Sequence, residues 1–125
     1  MKALAASRGL LSVPPGHATQ PNELDLQRIV RLLKQRARYR YVRPLVDCCE
    51  RGYRIQSPCC SRNVDAGGGV IDIALLEYDA GPARWSLYRK DHGAGQWRLH
   101  LQTARLAEAI DQLNLDPQRR FWLCA

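Results

Sequence analysis

The polar stretch from Ser57 to Asp72 holds the residue types that are best able to do chemistry. Cys59 and Cys60 are adjacent, and Arg62 follows two residues later. Because a neighbouring cation lowers the pKa of a thiol, this arrangement favours a reactive cysteine. A cysteine nucleophile also needs a base and an orienting group. The candidate bases are two histidines further along the chain, His92 and His100.

Asp72 interrupts an otherwise apolar strand, where an unpaired carboxylate would be costly. Together with Lys90 on the next strand, it resembles the restriction-endonuclease-like core, in which an aspartate and a Glu-x-Lys triplet bind a divalent metal ion. Here Tyr88-Arg89-Lys90 stands in place of that triplet and lacks its carboxylate. The structural alternative is that Arg62 neutralises Asp72 and fixes the loop. The enzyme hypothesis is therefore a metal-dependent or cysteine-based hydrolase centred on Asp72 and Cys59–Arg62.

Cysteine and histidine side chains also raise the question of a metal site. The candidate ligands are four paired cysteines and two histidines: Cys48, Cys49, Cys59, Cys60, His92 and His100. Zinc is the cofactor they would hold, but zinc sites usually use cysteines separated by two to four residues. Adjacent side chains in an extended chain point to opposite faces, so each pair readily supplies one ligand. The spacing favours reduced structural thiols over a zinc site.

The charge of the chain is concentrated in its first third. Residues 1–44 hold nine basic and two acidic residues, whereas residues 45–125 hold ten of each, so the whole net charge of +7 arises before Leu45. Basic residues neutralise phosphates, and tyrosines stack on exposed bases. The predicted nucleic-acid interface consists of Arg28, Arg31, Lys34, Arg36, Arg38, Tyr39, Arg40, Tyr41 and Arg43. Its structural alternative is a solvated helix face followed by tyrosines that belong to the core.

The elements that must position these residues follow from the hydrophobic pattern. Asn22 is a typical helix N-cap, and apolar residues at helical spacing predict a helix from about Glu23 to Arg38. A second helix is predicted from about Thr103 to Asn114. Residues 21–125 would form one domain, and 1–20, rich in proline and glycine near its end, a flexible tail.

Between the two helices, short apolar runs separated by turns predict four or five antiparallel strands. Strand-like segments are Tyr39–Arg43, Leu45–Cys49, Tyr53–Gln56 and Val70–Tyr78, the last central and covered on both sides. Two Trp-x-Leu-x repeats form a hairpin, whose inward residues would be Trp85, Leu87, Trp97, Leu99 and Leu101. The predicted class is α+β: an N-terminal helix, an antiparallel meander, and a C-terminal helix packed on one sheet face.

The composition of the chain bears on its location and on the kinds of partner it could have. No window approaches the ~20 apolar residues of a membrane span, so no membrane partner is expected. The absence of an export signal and the odd cysteine count indicate a cytoplasmic protein with reduced thiols. A third functional hypothesis is a protein–protein interaction domain, whose edge strand near Tyr39–Val42 would pair with a partner.

Several segments, taken in their order along the chain, carry a resemblance to a known family. They are Arg38–Pro44, Gly52–Asn63, Gly69–Ala74, Trp85–Tyr88 and Phe121-Trp122. Together they resemble a bacterial family built on a domain of unknown function, DUF3024, over about Leu24 to Trp122. The resemblance implies a bacterial cytoplasmic protein and brings no activity, substrate or cofactor with it.

Overall fold

The computed structural model describes residues 19–40, 42–59 and 69–122, and of Cys59 it describes the main chain. The predicted tail up to residue 18, together with Tyr41, Cys60 and Arg62, lies outside these ranges. The described elements are α1 (Glu23–Leu33), β1 (Leu45–Cys48), β2 (Tyr53–Cys59), β3 (Gly69–Asp79), β4 (Arg84–Asp91), β5 (Gln96–Thr103) and α2 (Leu106–Leu115).

The strands form one antiparallel sheet in chain order, β1-β2-β3-β4-β5. Both helices pack on one sheet face, and their apolar stripes join the strands in a single core that includes Ile29, Ile55, Leu76, Leu87 and Ile110. The predicted α+β class, the meander and the position of the two helices are confirmed. Neither described helix is long and apolar enough to cross a membrane.

Helix α1 begins as predicted but ends earlier. The Asn22 side chain accepts a hydrogen bond from the Asp25 amide at 2.8 Å, as an N-cap should. The helix ends at Leu33 and not near Arg38, because the amides of residues 34–36 bond three residues back and tighten the last turn. Arg36 then donates to the Leu33 carbonyl at 2.6 Å, which holds the chain in a turn.

The strand predicted at Tyr39–Arg43 is absent from the described residues there. Tyr39 has a φ of 58° in the left-handed region, and the sheet begins at Leu45. The edge strand that the interaction hypothesis placed near Tyr39–Val42 is therefore Leu45–Cys48. A second correction concerns Ser57–Cys59, predicted as loop: these residues extend β2 and pair with the start of β3.

Register irregularities explain why the predicted inward set is partly wrong. Trp85 and Leu87 are buried, but the β4–β5 pairing skips His100, since Leu87 pairs with Leu101 and Tyr88 with Leu99. One extra residue reverses the faces of the side chains beyond it. Leu99 is consequently 53% exposed, on the sheet face without helices, and Trp97 lies against Lys90 on that face.

Strand β3 is central, as predicted, but it is not covered on both sides. Its pairing with β2 skips Ile73 between Asp72 and Ala74, which is a second bulge. Asp72 and Glu77 are only partly buried, because the two helices cover the opposite face. The face without helices, here called the open face, is therefore where Asp72 lies.

Candidate functional site

A groove of about 410 Å³ lies where the end of α1, the following turn and β1 meet. Apart from Arg36, its buried and half-buried lining residues are aliphatic, namely Val30, Leu33, Val42, Pro44 and Val46. Its exposed lining residues are cationic, namely Lys34, Arg40 and Arg43. The groove, called the basic groove from here on, therefore combines an apolar floor with a positively charged rim.

Arg36 forms a fixed wall of the basic groove. Its guanidinium donates to the carbonyls of Leu33, Tyr39 and Val42 and lies over the indole of Trp122, 5.6 Å from the ring centroid. Partial burial lowers the pKa of Arg36, because a buried charge loses solvation. Carbonyl dipoles offset part of that loss. Within the described residues no carboxylate pairs with this cation.

A smaller pocket of about 230 Å³ adjoins the groove and is lined by three cations, Lys34, Arg36 and Arg40. Lys34 is the C-cap of α1, where the negative end of the helix dipole favours a cation. Arg40 follows the turn that Arg36 stabilises. The early end of α1 and the turn after it therefore bring three positive side chains together. Such a pocket suits a small anionic group, for example one phosphate.

Besides Arg36, three of the predicted nucleic-acid-binding residues are engaged in the fold. Arg28 forms a 2.8 Å ion pair with Asp25, whose side chain is fully buried. Arg38 donates to the carbonyls of Leu115 and Asp116 at the end of α2, at 3.1 and 3.3 Å. Tyr39 stacks on Trp122 at 5.7 Å between ring centroids and is half-buried, so it belongs to the core side of the segment.

Four predicted cations are exposed and uncommitted. Across residues 19–40, 42–59 and 69–122, no ion pair or side-chain hydrogen bond involves Arg31, Lys34, Arg40 or Arg43. Three of them line the basic groove. Tyr41 falls outside the described residues. The predicted interface thus divides into structural arginines and a set of cations available to a ligand.

Asp72 has partners other than the one predicted. Its carboxylate accepts from Gln56 at 3.0 Å and from the Lys90 ammonium at 3.2 Å, so strands on both sides of β3 contact it. The Asp72 side chain is 23% exposed, which is far from deep burial. The proposed partner Arg62 lies outside the described residues. The sequence analysis had associated Lys90 with Asp72 because Lys90 lies on the next strand. No motif had associated Gln56 with Asp72.

The candidate bases are separated from the described thiols. Cys48 and Cys49 precede the β1–β2 turn, whereas His92 lies in the β4–β5 turn at the other end of the sheet. Burial raises the pKa of the Cys48 thiol, with further contributions from Glu23 and Asp47. No described cation lies beside Cys48 to lower the pKa of its thiol.

The two histidines occupy different places. Burial lowers the pKa of His92, and the charge of Lys90 lowers it further, while Asp72 and Asp91 oppose the shift. His100 packs edge-on against Phe121, with ring centroids 5.0 Å apart. In the described part of the chain, no cluster of three or more histidine, cysteine or acidic side chains could hold a metal ion. Cys60 and the Cys59 side chain fall outside that description.

The aliphatic floor of the basic groove was not predicted as part of a site. Val42 and Pro44 were assigned to a strand and its end, and Val46 to an edge strand. Hydrophobic periodicity treats such residues as core, and no local signal distinguishes a core position from the floor of a groove. What exposes the floor is the end of α1 at Leu33, five residues before the predicted end.

Comparison with known proteins gives one match. Searches of curated proteins and of solved structures each found none. A family model described as a domain of unknown function, DUF3024, matches residues 17–123. That range contains all seven described elements and the basic groove. The chain therefore belongs to the family that shares this domain of unknown function, DUF3024.

Proposed function

We propose that this protein is a nucleic-acid-binding module and that the basic groove is its binding site. The observation that carries the proposal is a set of three exposed cations, Lys34, Arg40 and Arg43, around the groove beside the immobilised Arg36. None of the three forms an ion pair with another described residue. Lysine and arginine side chains that neutralise phosphates release counterions, and this release supplies most of the affinity of non-specific nucleic-acid binding.

The distribution of paired charges supports the proposal. On the open face, three cations pair with carboxylates across neighbouring elements: Arg51 with Glu77, Arg54 with Asp47 and Lys90 with Asp72. In these pairs each positive charge lies beside a negative one. The positive excess of the sequence therefore concentrates near the end of α1 and in residues 40–43, where an approaching polyanion would be attracted.

The proposal is tested by fluorescence anisotropy with labelled single-stranded and duplex oligonucleotides at low salt. The variant Arg40→Gln/Arg43→Gln removes two rim charges and should weaken binding at least about tenfold, because each phosphate contact contributes to the affinity. The matched control is Arg84→Gln/Arg105→Gln, which removes two exposed charges at the other end of the sheet. Equal losses in both variants, or no binding by wild type, would refute the proposal.

A hydrolase centred on Asp72 is the second candidate function. It is favoured by one observation, the convergence of Asp72, Lys90 and Gln56 near His92 on neighbouring elements at one end of the open face. A divalent metal ion would need further oxygen ligands beside Asp72. The test is cleavage of plasmid DNA with Mg²⁺ or Mn²⁺. Activity that Asp72→Asn abolishes with the fold intact would establish this function, and inactive wild type would remove it.

The proposed location of this module is the cytoplasm of a bacterium. Cys48 and Cys49 are free thiols in the structure, as expected of a reducing compartment. Fractionation of the native host tests the location.

A further inference from the structure

The basic groove has two parts that match the two parts of a nucleotide. The three-cation pocket of Lys34, Arg36 and Arg40 adjoins the groove, and all three residues line both cavities. Beside this pocket lies the aliphatic floor formed by residues such as Val42 and Val46. One part suits a phosphate, and the other suits an apolar surface such as the face of a base.

We infer that the basic groove selects single-stranded nucleic acid, with an unpaired base on the aliphatic floor and its phosphate in the pocket of Lys34, Arg36 and Arg40. The inference rests on the proposed function and specifies its ligand. In a duplex the bases are stacked and paired, so a protein surface meets mainly phosphates and groove edges. In a single strand the bases are available, and burial of apolar base surface against the aliphatic floor adds affinity that duplex binding lacks.

The rigidity of Arg36 supports this assignment. Its Nε, Nη1 and Nη2 atoms each donate to a main-chain carbonyl, and Trp122 packs against the guanidinium. A cation held in this way meets a phosphate without losing side-chain freedom on binding, so its position is set before the ligand arrives. Because Val42 supplies one of those carbonyls and also lines the floor, the phosphate pocket and the base platform have a fixed relative position.

The alternative for the same surface is a purely electrostatic patch. Such a patch would bind phosphates irrespective of the bases attached to them, and duplexes at least as well as single strands, because a duplex has the higher charge density. A test must therefore separate the contribution of bases from that of phosphates. An abasic oligonucleotide does so, because it carries the same phosphates on a chain without bases.

The experiment compares four labelled 20-mers by anisotropy: single-stranded DNA, single-stranded RNA, the DNA duplex and a largely abasic DNA strand. The inference predicts that both intact single strands bind about tenfold more tightly than the duplex and the abasic strand. Val46→Asn, on the half-exposed floor, should reduce this preference several-fold while it leaves the salt dependence unchanged. Leu45→Asn, an exposed neighbour outside the lining, is the matched control.

The outcomes separate the inference from the proposed function. Equal affinity for intact, abasic and duplex probes, still lost in Arg40→Gln/Arg43→Gln, would overturn the single-strand inference and leave nucleic-acid binding standing. No binding of any probe would overturn both. A preference that Val46→Asn and Leu45→Asn reduce equally would also overturn the inference, because the floor would then have no special role.

Discussion

The guanidinium of Arg36 lies over the indole ring of Trp122, 5.6 Å from its centroid, and so joins the turn after α1 to the C-terminal end of the described chain. The same guanidinium donates to three main-chain carbonyls. An arginine that the sequence assigns to a ligand therefore holds the fold together as well. The basic segment thus contains arginines that the fold uses, such as Arg36, and exposed cations that the proposed function assigns to a ligand.

Arg36→Ala is expected to lower the free energy of unfolding by about 2 to 3 kcal/mol, since it removes three side-chain hydrogen bonds. The carbonyls of Leu33 and Tyr39 keep a main-chain donor, whereas the Val42 carbonyl loses the donor that Arg36 supplies. Arg31→Ala is the control: Arg31 is an exposed arginine of α1, just before the turn that Arg36 stabilises, and its loss should change stability by no more than about 0.5 kcal/mol. Urea denaturation measures the free energy of unfolding of both variants. Similar values for the two variants would contradict the structural role of Arg36.

Asp116 should be a stronger determinant of stability than its place in a connecting segment suggests. Its side chain is 1% exposed and accepts from the amides of Arg120, Phe121 and Trp122 at 2.7 to 3.2 Å. Asp116→Ala would leave these amides unpaired and should cost about 3 kcal/mol. Asp111→Ala, on the exposed side of α2, should cost less than about 0.5 kcal/mol. The measurement is the thermal unfolding midpoint of each variant. Equal midpoints for Asp116→Ala and Asp111→Ala would refute the structural role of Asp116.

Gly52 is required by a close approach of the β1–β2 turn to β3. A Cβ atom at this position would lie 2.2 Å from the main-chain oxygen of Leu76, so the backbone would have to move. Gly52→Ala should therefore destabilise the protein by about 3 kcal/mol. At Gly81 the nearest atom is 3.4 Å away, and Gly81→Ala should be tolerated. The urea midpoints of the two variants are compared with that of wild type. An unchanged midpoint in Gly52→Ala would be evidence against the close approach.

Tyr53 should make stability depend on alkaline pH. Its hydroxyl is fully buried and bonds with the Asn22 amide and the Gln20 side chain, and burial raises its pKa to about 12. An unfolded tyrosine titrates near pH 10. Below pH 10 both states are protonated and the contribution of Tyr53 is fully present. Above pH 10 the unfolded state loses its proton first, so stability should fall by about 2 to 3 kcal/mol by pH 12.

The measurement for Tyr53 is the urea midpoint between pH 9 and pH 11.5. Tyr53→Phe removes the titrating group, so its stability should fall less steeply with pH than that of wild type, although it starts lower. Tyr78→Phe is the control, because Tyr78 is only partly buried. Parallel pH profiles for wild type and Tyr53→Phe would show that Tyr53 is not the group responsible.

Most of the fold follows from local patterns in the sequence. The N-cap at Asn22, the apolar stripes of both helices and the Trp-x-Leu-x hairpin predict elements that the structure contains. The errors arise where the hydrogen bonding departs from the regular spacing of an element. Helix α1 ends where the amides of residues 34–36 bond three residues back, and the faces of Trp97 and Leu99 depend on one skipped residue, His100. The hydrophobic periodicity of the sequence does not reveal where one residue is skipped in the pairing of two strands.

The candidate site was predictable only in part. Charge patterning located the basic segment, since no acidic residue lies between residues 28 and 43. It could not separate Arg28, which pairs with Asp25, from Arg40, which is exposed, because the partner is fixed by geometry. It also could not identify Val46 as groove lining, because an aliphatic side chain in a strand looks the same in a core and in a cleft.

The salt dependence of binding tests the central claim most directly, because it counts the phosphates that the basic groove neutralises. With three to four cations engaged on a single strand, the logarithm of the binding constant should fall with the logarithm of salt concentration with a slope of about −2 to −3. Arg40→Gln/Arg43→Gln should reduce that slope by about 1.4, while Arg84→Gln/Arg105→Gln leaves it unchanged. Identical slopes for wild type and the groove variant would contradict the assignment of nucleic-acid binding to this groove.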